Sequence, residues 1–322
     1  MTPSRVIVRT YASSANLGPG YDVFSVALDG FSDVVEAWVE HDGRGITLDG
    51  VEGPYRDHVP PGKSNVLVEA ARLAVNKYSG DASRGGIVMR LYKGVPPGKG
   101  LGSSGASAAA GVVAASLLSG ALVDSRSMVE LAGMAEAAVS GTPHYDNVAS
   151  SILGGFNVVG WLGDELVVEN IGLRARFLVA VPDYSIPGEK TRLMREVLPS
   201  TVPLPRAVRQ WGRIALMVKA ARDGNLALFG ALMMSDEIVE RARSKYVPCY
   251  SVVRRRVVEA GGLGVAVSGA GPSLLILAGG PGGGDAFTGE LSRVVEEAYS
   301  ECGVGVKVYE CGVGPAYEVN LY

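Results

Sequence analysis

The sequence predicts an α+β chain built as two domains, residues 1–170 and 171–322. Three observations carry that prediction. Short stretches of alternating or β-branched residues open each half. Segments with apolar residues at helical spacing follow in runs, without the strict strand–helix alternation of a parallel sheet. A chain of 322 residues also exceeds one average domain.

In the first half, residues 5–11, 33–40 and 86–91 read as strands. Residues 64–78 read as a helix, with Val66, Val68, Ala70, Leu73 and Ala74 at helical spacing and Asn65 at the start. A helix of small residues is expected over 107–121 and another over 127–140, closed by the turn Gly141-Thr142-Pro143. Residues 154–168 read as a hairpin broken at Gly163-Asp164. The second half opens on an apolar strand, 177–181, followed by helices near 192–197, 205–222, 226–240 and 250–260. Strands at 264–267, 274–278 and 306–309 then surround a helix over 284–301. No repeat is apparent at the roughly 20–50-residue periods of solenoids.

Composition narrows the function classes. With 47% hydrophobic and 20% charged residues the chain reads as a soluble globular protein. A net charge of −3 leaves no electrostatic footprint for nucleic acid, and the run Arg254-Arg255-Arg256 reads as the solvated face of a helix. Three scattered cysteines, Cys249, Cys302 and Cys311, argue against a disulfide framework and for a reducing compartment. Val6, Val8 and Thr10 alternate like a strand, with no apolar signal core. The uncharged stretch 100–123 is long enough to span a bilayer, but it is rich in Gly, Ala and Ser. It reads as a buried helix, so the expectation is a cytoplasmic protein with no membrane partner.

The segment from Pro96 to Ala106, Pro-Pro-Gly-Lys-Gly-Leu-Gly-Ser-Ser-Gly-Ala, carries most of the chemistry. Gly98, Gly100 and Gly102 remove the Cβ atoms that keep a ligand off the backbone. Ser103 and Ser104 fall where a helix begins, with its unpaired amides and the positive end of its dipole. A polyphosphate suits that arrangement. A Walker A loop is excluded, because Gly98-Lys99 is followed by Gly100 and has Lys93 at the required upstream glycine position. The triplet Gly62-Lys63-Ser64 fails in the same way, with Asp57 upstream. The spacing G-x-G-x-G is not that of a dinucleotide-binding turn.

Four other segments stand out. Asn16 and Asp22 in Ser14–Asp22 either bind an amine or hydroxyl, or only stabilise their turn. His144-Tyr145-Asp146-Asn147 gathers four hydrogen-bonding side chains at a helix entry, where Asp146 or Asn147 can also cap. Glu136 sits among alanines and is a candidate ligand for a hard cation such as Mg²⁺. The run Ser268-Gly269-Ala270-Gly271-Pro272-Ser273 is either a plain turn or a second wall for phosphates.

Together these segments resemble the GHMP kinases, the superfamily of galactokinase, homoserine kinase, mevalonate kinase and phosphomevalonate kinase. The family's loop, Pro-x-x-x-Gly-Leu-Gly-Ser-Ser-Ala, is matched from Pro96 to Gly105, with Gly105 in place of alanine. Ser14–Asp22 matches its first motif and Ser268–Ser273 its third. The implied fold is a ribosomal protein S5 domain 2-like N-terminal domain followed by a ferredoxin-like α+β C-terminal domain. Within the superfamily the homoserine kinases are most similar, through Asn16-Leu-Gly-Pro-Gly-Tyr-Asp22, His144-Tyr-Asp-Asn-Val148, Thr191-Arg-Leu-Met-Arg195-Glu-Val-Leu-Pro199 and Arg243.

The resemblance implies ATP and Mg²⁺ as cofactors. Asn65, Pro96, Pro97, Gly98, Lys99, Gly100, Leu101, Gly102, Ser103, Ser104, Gly105 and Ala106, with Gly269 and Gly271, then surround the nucleotide. Ser104 and Glu136 hold the metal. Asn16, Asp22, His144, Asn147, Thr191, Arg195 and Arg243 surround an amino-acid substrate. The arginine forks suit its carboxylate, and Asn16 and Asp22 its ammonium. Asp146 is the nearest candidate base and Asn147 the residue near the hydroxyl, with positioning favoured over base catalysis. The implied reaction is γ-phosphoryl transfer to the side-chain hydroxyl of L-homoserine, in threonine biosynthesis. The alternatives are a kinase for another small hydroxy acid such as mevalonate or phosphomevalonate, and a non-catalytic nucleotide-binding protein of the same fold. A homodimer is a family-level expectation.

Overall fold

Strands β1 (Arg5–Asn16) and β2 (Gly20–Glu40) form one long antiparallel hairpin, with Val6 opposite Ala37 and Val8 opposite Val35, all fully buried. The structure, a computed structural model, describes the 322 residues except 1, 42, 44, 61–64, 79–84, 187–189 and 280–284, and the side chains of 191, 285 and 286. The Gly62-Lys63-Ser64 triplet and the Thr191 side chain therefore lie outside the described residues.

Strand β2 pairs over one part of its length with β4 (Gly86–Tyr92) and over another with β5 (Phe156–Leu162). Strand β3 (Ile46–Glu52) runs parallel to β4, and β6 (Glu165–Ile171) closes the hairpin with β5. Helices α1 (Val66–Tyr78), α2 (Ser103–Leu118), α3 (Ser125–Ser140) and α4 (Tyr145–Leu153) cover this first sheet. The uncharged helix α2 is surrounded by protein, as its small residues require. A Cβ on Gly111 would stand 2.4 Å from the Leu67 carbonyl, so α1 and α2 meet backbone to backbone. Among the described residues no helix is long and apolar enough to cross a membrane.

A second, antiparallel sheet has the order β10-β7-β9-β8, from β7 (Arg176–Pro182), β8 (Gly264–Val267), β9 (Leu274–Gly279) and β10 (Val306–Gly312). Both of its faces are buried, which explains its near-continuous apolar runs. Leu178 and Ala180 pack against α9 (Tyr250–Glu259) and α10 (Asp285–Glu301). Phe177 and Val179 pack with Phe24, Phe156 and Phe229, which joins the two halves in one core. The intervening helices are α5 (Lys190–Glu196), α6 (Leu204–Arg222), α7 (Leu226–Met233) and α8 (Val239–Arg243).

Several expectations are corrected. The helix expected over 226–240 is two helices, α7 and α8, because the Asp236 carboxylate accepts the amides of Ile238, Val239 and Glu240 and starts a new one. Strand β11 (Glu318–Leu321) was not expected. It returns from the chain's end to pair with β1, adding an edge to the first sheet. Arg254 is no solvated charge, since it donates to the Met234 carbonyl at 2.7 Å and to the Tyr250 hydroxyl.

The reading of the cysteines is also overturned. Cys249 and Cys302 form a disulfide with Cα atoms 6.0 Å apart, leaving Cys311 buried and free. Spacing hid the pair: 53 residues separate cysteines that the fold places at the start of α9 and just past the end of α10. The cysteine argument for a reducing compartment therefore falls away. A loop of that length predicts that Cys302→Ser costs about 4 kcal/mol and lowers the melting midpoint by about 5 °C. Calorimetry with and without reductant checks this; an unmoved midpoint in both would show the bridge to be idle.

Candidate active site

The Pro96–Ala106 segment links β4 to α2 as a left-handed chain: Gly98, Gly100 and Gly102 have φ of +73°, +79° and +63°. The three glycines serve different needs. A Cβ on Gly100 would lie 2.2 Å from the Ser268 carbonyl, and one on Gly102 would lie 2.0 Å from Ser13 Oγ. One on Gly98 would meet nothing within 4 Å, so that glycine faces open volume. The first bond of the α2 ladder runs from the Ala106 amide to the Gly102 carbonyl, which leaves the Ser103, Ser104 and Gly105 amides ahead of it. No acidic side chain occupies that first turn and no side chain caps it.

Two buried residues that the sequence reading passed over hold this loop. The Lys93 ammonium pairs with Asp33 and donates to the Ser103 carbonyl at 2.8 Å and Ser107 Oγ at 2.9 Å. Asp33 also accepts the amides of Gly94 and Val95. Burial pushes the Lys93 pKa down, while the Asp33 charge opposes it. A lysine directly after a largely apolar strand was the available signal for this clamp.

Beside the helix start, Ser104 Oγ donates to Glu136 Oε1 at 2.5 Å. Glu136 is 2% exposed, and its Oε2 has no hydrogen-bond partner among the described residues; the nearest cationic candidate, His144 Nδ1, stands 3.7 Å away. Burial lowers the His144 pKa, but the Glu136 carboxylate outweighs it and the net direction is up. Ser103 turns inward, donating to the Val95 carbonyl.

Facing the loop, Asn16 and Asp22 adopt left-handed backbone at φ +74° and +55°, an unusual strain for residues with side chains. Asn16 Oδ1 accepts the Asp22 amide at 3.1 Å and its Nδ2 donates to the Gly269 carbonyl at 2.9 Å. The turn-stabilising reading is seen in these bonds of the Asn16 amide, and both Asn16 and Asp22 line the cavity. Arg195 Nη2 lies 3.9 Å from Asp22 Oδ2. Arg243 is 5% exposed, stacks 4.9 Å over the Tyr21 ring, and donates to the carbonyls of Met194 and Gly269.

At the entry of α4, Asp146 Oδ1 accepts the Asn147 amide at 2.7 Å and Asn147 Nδ2 at 3.1 Å, while Asn147 Oδ1 accepts from Ser13 Oγ. Asp146 is no cap; His144 holds that position without a side-chain bond. Burial, reinforced by the Asp22 charge, pushes the Asp146 carboxyl up to about 7.

These groups line one cavity of about 320 Å³. Its lining includes Asn16, Asp22, Asn65, Pro97, Gly98, Gly100, Leu101, Gly102, Ser103 and Ser104, and Glu136, His144, Asp146, Asn147, Arg195, Arg243 and Gly269 complete the set. Asn65 caps α1 through the Leu67 amide and borders His58, Val59 and Pro60 at one end. Pro96, Gly105, Ala106 and Gly271 do not line the cavity. Neither does Lys99, whose ammonium donates to the Pro182 and Tyr184 carbonyls and so ties the loop to the second half. Ser268 makes a parallel tie, with Oγ 2.7 Å from the Gly100 carbonyl. Lys190 lines the cavity although nothing in the sequence marked it.

Comparison with known proteins agrees with this geometry. A family model for the GHMP kinases N terminal domain matches residues 65–155, and one for the GHMP kinases C terminal region matches 217–302. A homoserine kinase of Aeropyrum pernix is 47% identical over 86% of this chain and 88% of its own length. One of Pyrobaculum neutrophilum is 39% identical over 94% and 96% of the two chains. A crystal structure of homoserine kinase from Cytophaga hutchinsonii superposes with a TM-score of 0.88, at 27% identity, covering 99% of this chain and 98% of that one. With both family regions matched and such relatives spanning nearly its whole length, the chain belongs to the GHMP kinase family, alongside the homoserine kinases.

Proposed function

We propose that this chain transfers the γ-phosphoryl group of ATP to the side-chain hydroxyl of L-homoserine, forming O-phospho-L-homoserine for threonine biosynthesis. One observation carries the reading: a helix start suited to phosphates and a pair of guanidinium groups beside Asp22 share a single cavity. The amides ahead of α2 and the open side of Gly98 favour the triphosphate. Arg195 and Arg243 suit the substrate carboxylate, and Asp22 its ammonium. Residues 1–170 then act as the nucleotide domain, with β11 as an added edge, and 171–322 complete the acceptor site.

Ser104 and Glu136 fit Mg²⁺, because Glu136 presents a buried carboxylate oxygen without a hydrogen-bond partner among the described residues. When bound, the ion offsets charge on the β- and γ-oxygens. The acceptor oxygen attacks phosphorus as the bond to ADP breaks, and the hydroxyl proton leaves late, onto the transferred group. A loose transition state of this kind asks little of a base. Asn147 is held between Asp146 and Ser13, so Asp146 serves by orienting that amide. Asp146→Asn accordingly keeps kcat within about tenfold of wild type, since the variant's carbonyl still accepts. A loss of about a thousandfold or more would make Asp146 the base.

The reading is tested by following ADP release from Mg²⁺-ATP with homoserine, threonine, serine, mevalonate and shikimate. Homoserine is expected to exceed each of the others by about 100-fold or more in kcat/KM. Equal turnover of mevalonate, which has no ammonium group, would sink it, as would silence with all five. Dimerisation, a further expectation, is checked by sedimentation at twice the chain's mass.

A further inference from the structure

Lys190 opens α5 on the wall of the cavity where the two halves meet. Its ammonium donates to the Gly271 carbonyl at 2.9 Å. That carbonyl adjoins the phosphate loop, since a Cβ on Gly100 would stand only 2.7 Å from it. On the other side Arg243 donates to the Gly269 carbonyl of the same turn. Lys190 is thus anchored between the loop and the arginine that suits the acceptor's carboxylate. No carboxylate among the described residues pairs with it. Desolvation, then the charges of Arg243 and Lys99, push it down to about 8.

An ammonium with one neutral partner retains two donors, and in a desolvated place it favours an anion beside it. Two anions meet in this cavity under the reading above: the acceptor's carboxylate and the transferring phosphoryl group. The carboxylate already has Arg195 and Arg243. The phosphoryl group carries its charge over three equatorial oxygens during transfer, and it must lie between the loop and the acceptor. We propose that Lys190 binds the phosphoryl group in flight, as a catalytic residue of this kinase site; the inference rests on the kinase reading.

The test compares wild type with Lys190→Met and Lys190→Arg. Lys190→Met is expected to lower kcat by about 100-fold, with KM for homoserine changed by no more than about threefold. By calorimetry it loses about tenfold in affinity for a non-hydrolysable ATP analogue but none for ADP, because only the analogue carries the third phosphate. Lys190→Arg keeps the charge and recovers most of both losses. If Lys190→Met does not fold, Lys190→Gln is read in the same way, with intact ADP binding as the control. Unchanged kcat and unchanged discrimination between analogue and ADP overturn the proposal. So does a rise in KM for homoserine that vanishes with an acceptor lacking the carboxylate, which would assign Lys190 to that group. A wild-type enzyme that ignores homoserine would instead strike the acceptor assignment, while the analogue-against-ADP comparison still judges Lys190.

Discussion

Glu136→Gln lowers kcat by about a thousandfold while leaving the fold at least as stable as wild type. The two effects separate because Glu136 costs the free protein something. One of its oxygens accepts from Ser104, but Oε2 is buried with no hydrogen-bond partner among the described residues, and His144 Nδ1 stands 3.7 Å from it. Glutamine keeps the acceptor for Ser104 and removes a buried charge that is expensive unless countered. It also removes the carboxylate that suits a divalent cation beside the triphosphate. The checks are kcat as a function of Mg²⁺ concentration and the melting midpoint of the free protein. A variant within tenfold of wild type, with an unaltered Mg²⁺ dependence, would take Glu136 out of the metal site.

Arg243→Met raises KM for homoserine by about 300-fold and leaves KM for ATP nearly unchanged. A planar fork donating to a carboxylate in a buried place is among the stronger polar interactions, and methionine replaces its bulk without its donors. The substitution also strips the Met194 and Gly269 carbonyls of a donor, so stability falls by about 1–3 kcal/mol. Arg195→Met serves as the companion variant, because Arg195 is less buried and, among the described residues, its loss removes only the 3.9 Å contact with Asp22 rather than bonds to buried carbonyls. It is expected to raise KM in the same direction with the melting midpoint held. An acceptor without a carboxylate should be indifferent to both substitutions. If homoserine is equally indifferent, the arginines do not bind the substrate.

Much of the site was legible in the chain because phosphate binding depends on the local backbone. Gly98, Gly100 and Gly102 at alternate positions, followed by two serines at a helix start, state a left-handed turn and a set of free amides within a few residues. Local geometry is encoded locally. Glu136 was visible for a similar reason, as one carboxylate in a run of alanines that had to be buried.

What the chain order concealed is everything whose meaning is a distance between segments. Lys93 and Asp33 are 60 residues apart and become a clamp only when β2 and β4 pair. Lys99 looked like a charge for phosphate, yet the second half supplies two carbonyls that draw it away from the cavity. Lys190 is an ordinary lysine until the fold brings the Gly271 carbonyl, itself beside Gly100, to its ammonium. The Cys249–Cys302 bridge and the return of β11 to β1 are of the same kind. By itself the sequence determined the α+β plan and the glycine-rich turn ahead of a helix, because those rest on periodicity and backbone permissiveness, whereas Arg195 and Arg243 stood out only through the family resemblance. Only the tertiary structure decided which charges face the cavity and which are spent holding it together, because a cation's role depends on which oxygens the fold brings within about 3 Å of it.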